Sequence, residues 1–385
     1  MRTITGTCSL LFLFLSLFLL QANAAASHKY LVYIGTFTDT GSKGIYVYRF
    51  DAATGDLSPL GVAAETASPS FLVPDRAGRF LYAVNELQKF QDQESGAVSA
   101  FAIDKESGKL KFLNQVSSHG ANPAHITLDN TGKYVLIANY FGGNVATFPV
   151  RPDGSIGEAS TIVQHHGHGA ISPRQDTPHA HAIVPSPDNR FVLVADLGLD
   201  EVLVYRFDPA KGSLTLVDAD TTKLDPGAGP RHIAFSRDGK FVYVINEIQS
   251  SVAVFSYNKA TGALHFIQKL STLPKDYSGP NDDAEIQLHP SGKFLYASNR
   301  GHDSIAVFSV DKRKGTLTFQ ETVSSGGKIP RGFSLDPTGK WLFAANQKTD
   351  TVLLLKVDPK TGRLTPTNTV VSVPSPVCVV FVPIP

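Results

Sequence analysis

Arginine, histidine and glutamate side chains stand at corresponding positions of a repeated strand-turn-strand unit. In the copy centred on Gly239, Arg231 and Glu247 lie at the two outer ends, and His232 follows Arg231. An arginine fork matches carboxylate or phosphate oxygens and can stabilise an oxyanion, whereas a carboxylate or an imidazole can act as a general base. These residues, if brought together, could bind a small anionic or carbonyl substrate.

The unit that carries these residues recurs along the chain about every 50 residues, a period typical of solenoids and propellers. The turn residues of the six copies are Gly78, Gly132, Asn189, Gly239, Gly292 and Gly339. A second alternating pair of strands follows each hairpin, and in the central copy its turn is Thr261-Gly262. Four short antiparallel strands per repeat are typical of a propeller blade.

The two ends of the chain predict how the ring closes. Strands at 30–37 and 44–50 lack an inner partner, and 377–382 is a lone apolar strand at the other end. Pairing the last strand with the first would complete a seventh blade and remove two exposed sheet edges. The sequence therefore predicts an all-β, seven-bladed β-propeller over residues 27–385, with four antiparallel strands per blade and pairing of its N- and C-terminal strands.

The repeat register predicts which side chains meet at the propeller axis. Innermost strands converge there, so equivalent positions should ring one mouth of the central channel. The expected ring contains His181, Arg231, His232, Glu247, Glu285, Arg300 and Arg331, with Glu86 and His125 further round. Two long connections, 164–178 and 273–283, precede innermost strands and are expected to wall a substrate pocket over the same face.

The first 24 residues carry a different pattern. Arg2 precedes an apolar run from Leu10 to Leu20, and Ala22-Asn23-Ala24 is a small-residue cleavage site, which together predict a secretory signal peptide. An uncleaved anchor is the alternative, but the run is short for a bilayer span. We expect an exported protein, periplasmic or secreted, with no stable membrane association after cleavage.

Charge and cysteine content narrow the possible partners. Arg2 is one of 35 Lys and Arg residues, which leaves 34 against 34 Asp and Glu. A neutral chain gives no reason to expect nucleic acid as a partner. Cys378 is the only cysteine after the leader, so no intrachain disulfide is possible, and we expect it to be a small buried hydrophobe.

Two other interpretations of the polar residues stay open. Arginine and glutamate near a channel axis could simply balance each other's charge and order water. His165, His166 and His168 lie close together, but no HExxH motif, zinc-type spacing or calcium-type acidic cluster occurs. We therefore predict neither a metal nor a cofactor, and we expect the histidine-rich loop to be solvated or lid-like.

Motifs along the whole mature chain carry a resemblance to a known family. They include Tyr33-Ile34-Gly35-Thr36, Val84-Asn85-Glu86, Pro178-His179-Ala180-His181, Gly229-Pro230-Arg231-His232, Ser298-Asn299-Arg300-Gly301 and Pro330-Arg331. In these the chain resembles the bacterial 6-phosphogluconolactonase family of seven-bladed propellers, which is related to carboxy-cis,cis-muconate cyclase. In the cyclase branch a His, two Arg and a Glu are the proposed active-site set. The matching positions are the His179-Ala180-His181 motif, Arg231, Arg300 and Glu247, and the repeat register favours His181 as the histidine that faces the axis.

The resemblance implies hydrolysis of a small-molecule lactone without a metal. Glu247 or His181 would act as general base on water, while Arg231 and Arg300 would hold the carbonyl oxygen as it becomes an oxyanion. Arg331 or His232 would bind the anionic end of the substrate. The further expected substrate-binding residues are His179, Glu285, Glu86 and His125.

The substrate and the reaction both leave alternatives. The phosphogluconate pathway is cytoplasmic, so predicted export favours an unphosphorylated sugar lactone or a related cyclic ester over the phosphorylated one. A muconate-type lactonizing cycloisomerase could use the same arginine clamp, and a non-catalytic propeller could bind a sugar acid or a protein partner.

Overall fold

The computed structural model describes residues 28–217 and 221–385, and all regular structure in these ranges is β-strand. The predicted signal peptide, residues 1–24, lies outside the described residues and stays a prediction. No helix in the described ranges is long and apolar enough to cross a membrane.

Seven antiparallel sheets follow one another along the chain. The first strands are β1 (Lys29–Thr36), β2 (Gly44–Asp51) and β3 (Asp56–Glu65). The next blade consists of β4 (Phe71–Pro74), β5 (Phe80–Asn85), β6 (Ala97–Ile103) and β7 (Leu110–Ser117). It is followed by β8 (Pro123–Leu128), β9 (Tyr134–Asn139), β10 (Asn144–Pro149) and β11 (Thr161–Gln164). The fourth contains β12 (Ala180–Pro185), β13 (Phe191–Asp196), β14 (Glu201–Asp208), β15 (Ser213–Leu216) and the short β16 (Thr222–Lys223), which pairs with β14.

Three further blades and one returning strand complete the ring. The fifth blade consists of β17 (Pro230–Phe235), β18 (Phe241–Asn246), β19 (Ser251–Tyr257) and β20 (Leu264–Ser271). The sixth consists of β21 (Asp282–Leu288), β22 (Phe294–Arg300), β23 (Ser304–Val310) and β24 (Leu317–Ser324). The seventh consists of β25 (Pro330–Leu335), β26 (Trp341–Asn346), β27 (Thr351–Val357) and β28 (Leu364–Ser372), and the last strand is β29 (Pro376–Pro383).

The last strand closes the ring as predicted. β29 runs antiparallel to β1, with Tyr33 opposite Val380, and so becomes the innermost strand of the first blade. The innermost strands β4, β8, β12, β17, β21, β25 and β29 contact one another in that order, and β29 contacts β4. The predicted seven-bladed propeller is confirmed. Cys378 in β29 is buried, and burial raises the pKa of its thiol to about 12.

The hairpin turns explain why the glycines recur. The aligned turn residue has a positive φ in all six copies, from 60° at Asn189 to 72° at Gly339. Glycine adopts this left-handed conformation without steric cost and asparagine tolerates it. The turn therefore fixes the register of each hairpin, and the register decides which side chain stands at the outer end.

Alternate residues of the middle strands pack between neighbouring blades. Leu193 and Val204 of the fourth blade form one cluster with Val244 and Phe255 of the fifth. Burial of each such side chain contributes about 1.5–3 kcal/mol. Interblade packing of this kind holds the axial residues in place.

A buried asparagine at the end of the second strand ties a blade to its predecessor. Asn139 Nδ2 donates to the Ser118 carbonyl oxygen at 2.8 Å, and Asn346 Nδ2 donates to the Ser325 carbonyl oxygen at 2.8 Å. Both asparagines are fully buried. The recurring asparagine therefore satisfies a carbonyl that packing shields from water.

We expect Asn346→Leu to lower the free energy of unfolding by about 1–3 kcal/mol, because the Ser325 carbonyl then loses its buried donor. Urea titration measures the change. The exposed Asn368 provides the control, and Asn368→Leu is expected to stay within about 0.5 kcal/mol of the wild type. Equal stability of the Asn346→Leu variant and the wild type would contradict the proposed interblade contact.

Candidate active site

A β-bulge at the start of several innermost strands inserts one residue at the mouth of the channel. The inserted residue is His181 in β12, Arg231 in β17 and Arg331 in β25. Bulges bend a strand and redirect a side chain. The same irregularity in three blades therefore places three polar side chains at one level of the axis.

Glu247 lies at the centre of this group and pairs with three arginines. Its Oε2 atom is 2.9 Å from Arg231 Nε and 2.8 Å from Arg300 Nη2, and its Oε1 atom contacts Arg174 Nη2. Burial alone would raise the pKa of Glu247, but Arg300, Arg231, Arg174 and Arg331 outweigh burial and lower it. The carboxylate is therefore ionised, and both of its oxygens are engaged.

Arg231 is held from several sides. Its Nη1 atom donates to the Ala284 carbonyl oxygen at 2.6 Å and lies 3.3 Å from His232 Nε2. Because a guanidinium can only donate, His232 Nε2 accepts, and the imidazole proton resides on Nδ1. That Nδ1 atom faces Glu285 Oε2 at 3.3 Å. Arg231 Nη2 takes part in none of these contacts and can serve a bound oxygen.

A deeper layer of the channel contains His125, His232 and Glu285. The rings of His125 and His232 lie 5.3 Å apart, and Phe71 packs against His125 at 4.6 Å. The expectation that His125 lies further round is therefore wrong, because this packing brings its ring against His232. Burial lowers the pKa of His125 to about 3 and raises the pKa of Glu285 to about 7.

Arg331 and Arg300 complete the cationic side of the site. Arg331 Nη2 is 3.7 Å from Glu86 Oε1, and its guanidinium lies over the Phe37 ring. Arg300 Nη2 also donates to the Asp283 carbonyl oxygen at 2.9 Å. Glu86 therefore belongs to the ring through Arg331, and the end of the second long connection reaches the site through Arg300. Asp282 and Asp283, expected in that connection, belong to β21.

His181, rather than His179, joins the arginines. The His181 ring lies 5.2 Å from that of His232 and 5.3 Å from that of Tyr140, and among the described residues its buried Nδ1 atom has no hydrogen-bond partner. Burial, followed by Arg231, His232 and Arg331, lowers the pKa of His181 well below its ordinary value. His179 stacks on the outer side of Tyr140 at 4.5 Å. His181 is therefore a neutral imidazole with an unused nitrogen.

Arg174 belongs to the site, although the repeat register did not place it in the ring. Its side chain is 43% exposed and reaches Glu247 from the connection between β11 and β12. Gln175 anchors this part of the connection by donating to Asp200 Oδ1 at 2.6 Å and to the Leu197 carbonyl oxygen at 2.7 Å. Two signals in the sequence point here, the prediction that this loop walls a pocket and the Arg174-Gln175 stretch among the motifs that carry the family resemblance, but Arg174 lies outside the repeat register and was not assigned to the ring.

The histidines of this loop have different environments. His165 is buried, its Nδ1 atom lies 2.6 Å from Asp196 Oδ2, and Tyr205 Oη lies 2.9 Å from its Nε2 atom. The expectation of a solvated loop is therefore wrong at His165, whose contacts with Asp196 and Tyr205 hold the base of the loop in place. His166 and His168 are exposed.

No three His, Cys, Asp or Glu side chains within 28–217 and 221–385 are arranged to hold a metal ion. The polar centre of the molecule is instead built from guanidinium groups, carboxylates and neutral imidazoles. Four arginines share the mouth with three glutamates, Glu86, Glu247 and Glu285, so the mouth carries an excess of positive charge. This arrangement suits an anion or a developing oxyanion.

These features define a seven-bladed propeller with an arginine-lined site of enzymatic character at its axis. Residues 31–381 match the family described as "Lactonase, 7-bladed beta-propeller". The chain belongs to this family of lactone-hydrolysing enzymes, which confirms the resemblance seen in the sequence.

Named relatives cover nearly the whole chain. The 6-phosphogluconolactonase of Bacillus subtilis is 39% identical over 353 residues, which span 92% of this chain and 98% of the relative. A 6-phosphogluconolactonase of Formosa agariphila is 35% identical over 308 residues, which span 79% of this chain and 86% of the relative. Among solved structures, a periplasmic gluconolactonase of Pseudomonas aeruginosa has a TM-score of 0.87 at 36% identity, covering 93% of this chain and 100% of that one.

Proposed function

We propose that the protein hydrolyses a sugar lactone to the open-chain acid at the axial site, without a metal. One observation carries the proposal: Arg231 and Arg300 converge on one oxygen of Glu247 beside the neutral imidazole of His181. Lactone hydrolysis needs a group that accepts a proton from water and donors for the oxyanion. The named relatives support a sugar lactone as the substrate class.

Arg231 supplies the main oxyanion contact in this proposal. Its Nε and Nη1 atoms are held by Glu247, Ala284 and His232, so the orientation of the guanidinium is set before substrate binds. Preorganised donors stabilise a developing charge without reorganising during the reaction. The Nη2 atom, which takes part in none of these contacts, then donates to the carbonyl oxygen, together with Arg300.

His181 is the base that this geometry favours over Glu247. Both oxygens of Glu247 are paired with arginine, whereas the buried Nδ1 atom of His181 has no hydrogen-bond partner among the described residues. His181 removes a proton from water as the water oxygen bonds to the carbonyl carbon. When the ring carbon–oxygen bond breaks, the same proton passes from His181 to the leaving ring oxygen, which becomes a hydroxyl.

An unphosphorylated aldonolactone is the substrate that we favour. The predicted signal peptide would place the protein outside the cytoplasm, and the Pseudomonas neighbour is described as periplasmic. In this assignment Arg331 binds the carboxylate as it forms, because both ring nitrogens of His232 are already engaged by Arg231 and Glu285. Acid release from a panel of lactones, with and without a chelator, tests the substrate and the independence from metal, and cell fractionation tests export.

Arg231→Ala is expected to lower kcat for lactone hydrolysis about 10²–10³-fold, as loss of one oxyanion donor does in other enzymes. The exposed Arg313 offers a matched control, and Arg313→Ala should retain wild-type turnover. Acid release at a fixed pH measures both variants. Undiminished kcat in the Arg231→Ala variant would refute the oxyanion assignment.

A muconate-type cycloisomerase is the second candidate, because the four residues matching the cyclase set meet in one site: His181, Arg231, Glu247 and Arg300. In that reaction a substrate carboxylate bonds to one alkene carbon, the π bond of the alkene breaks, and its other carbon takes up a proton, so no water is consumed. Incubation with a carboxymuconate, followed by ultraviolet absorbance, separates the two candidates. Turnover of the muconate in the absence of lactone hydrolysis would favour the cyclase.

A further inference from the structure

An open groove lies beside the axial site, between the second and third blades. Its volume is about 390 Å³, and it is lined by Gln88, Lys89, Glu94, Ala121, Asn122 and Phe141. Phe141 is 56% exposed there, and Lys89 and Glu94 bring an ammonium group and a carboxylate to the same groove. The groove thus offers an aromatic face beside charged hydrogen-bonding groups.

One wall of the groove is a long connection that only one blade possesses. Residues 86–96 join β5 to β6, whereas the equivalent connections at 140–143, 197–200 and 247–250 are single tight turns. Long connections in compact domains are commonly functional. The two long connections predicted from the sequence did not include this segment. It brings Gln88, Lys89 and Glu94 to the same mouth at which Glu86 meets Arg331.

The groove borders the proposed reaction centre through the contact of Phe141 with Tyr140. Tyr140 lies 5.3 Å from His181, and Phe141 lies 5.1 Å from Tyr140, so two aromatic rings lead outward from the imidazole. The backbone of Asn122 joins the walls, since its N–H donates to the Leu87 carbonyl and its carbonyl accepts from the Tyr140 N–H, each at 2.8 Å. A ring-shaped substrate at His181 would project its far end over Phe141.

The charges that line the groove indicate which chemical group the far end of the substrate carries. Lys89 is the single cation of the 86–96 segment, which also contains Glu86, Asp92 and Glu94. Glu94 lines the groove with Lys89, so the groove has no positive excess for a phosphate. Amide, carboxylate and ammonium groups beside an aromatic face instead match hydroxyls and the C–H face of a sugar.

We propose that this groove is a specificity subsite for the uncharged, hydroxyl-bearing part of the lactone, with Phe141 under the sugar and Glu94 as a hydrogen-bond acceptor. The assignment rests on the lactonase activity proposed above. It predicts a preference for glucono-δ-lactone over its 6-phosphate, set by Glu94 and Phe141.

Two variants test the subsite on this pair of substrates. Phe141→Ala is expected to raise KM for glucono-δ-lactone about 3- to 10-fold with kcat preserved, through loss of the aromatic contact. Glu94→Lys is expected to raise kcat/KM for the 6-phosphate about 5-fold relative to glucono-δ-lactone. Phe112, 57% exposed on β7, is the matched control, and Phe112→Ala should change neither constant.

The outcomes separate the subsite from the reaction. The subsite assignment is overturned if the wild type prefers the phosphorylated lactone. It is also overturned if KM and kcat/KM of both variants stay within twofold of the wild-type values. A wild type that hydrolyses no lactone refutes the proposed reaction instead. Calorimetry with gluconate then tests the groove, and equal affinity in wild type and Phe141→Ala overturns it, whereas weaker binding in the variant supports it.

Discussion

His181→Gln is expected to lower kcat for lactone hydrolysis by about 10²–10⁴, the usual contribution of a positioned general base. Glutamine approximates the volume of histidine and keeps hydrogen-bonding atoms, but it cannot take a proton from water near neutral pH. KM should change much less than kcat, because Arg231, Arg300 and Arg331 still bind the substrate. Acid release under saturating lactone measures the loss.

The pH profile identifies the base. A base works in its deprotonated form, and burial with the nearby Arg231 lowers the pKa of His181 well below its ordinary value. Wild-type kcat/KM should therefore hold as the pH falls through 6.5, where an ordinary histidine titrates, and decline only at more acidic pH. In the His181→Gln variant that acidic decline should disappear from the residual rate.

Two controls make this result specific. Glu285 also faces the site and burial raises its pKa to about 7, so any inflection near pH 7 that disappears in the Glu285→Gln variant belongs to Glu285 and is separate from the acidic decline assigned to His181. The exposed His265 is a matched control for loss of an imidazole, and His265→Gln should leave the profile unchanged. If His181→Gln keeps full kcat and Glu247→Gln alone abolishes the acidic decline, Glu247 is the base.

The axial ring could be predicted because the turn residue fixes strand register. Positions eight residues on either side of Gly239 stand at the outer end of a hairpin, and the corresponding positions in other repeats do the same. Arg231, Arg300 and Glu247 come together for this reason. The bulge at Arg231 could not be predicted from the repeat. It changes which residues of β17 and β18 pair, but it leaves the spacing between Arg231 and Gly239 in the sequence unchanged.

Residues outside the repeat register were harder to place. Arg174 reaches Glu247 because buried contacts of Gln175 and His165 position its loop, and those partners are distant in sequence. His125 is in the register, at the position of His232, but its contact with the His232 ring depends on packing that also involves Phe71. Contacts of this kind depend on side-chain packing in three dimensions, which strand periodicity does not encode.

Glu247→Gln is expected to lower the free energy of unfolding by about 3–5 kcal/mol and to abolish most activity, because the carboxylate is the shared partner of three arginines. Glutamine keeps the shape but leaves buried guanidinium groups without their counter-charge. Urea unfolding measures the stability, and the exposed Glu158→Gln variant is the control that should stay within about 0.5 kcal/mol.

The pH dependence of this loss has a definite sign. The pKa of Glu247 is lowered in the folded state, so its ion pairs stabilise the fold above the pKa of the unfolded chain. Their contribution falls as the pH drops through the lowered folded value. The stability gap between wild type and Glu247→Gln should therefore be largest near neutral pH and shrink in acid. A gap that widens in acid would contradict the ion-pair explanation.

A double-mutant cycle with Arg174 then separates charge from shape. Arg174→Gln in the wild type removes one partner of Glu247 and should destabilise the protein, whereas in the Glu247→Gln background it removes an uncompensated cation and should destabilise it less or restore stability. Loss of packing alone would make the two changes additive. Additive free energies of unfolding would therefore mean that Glu247 does not hold the arginines together through its charge, and the preorganisation of Arg231 would need another cause.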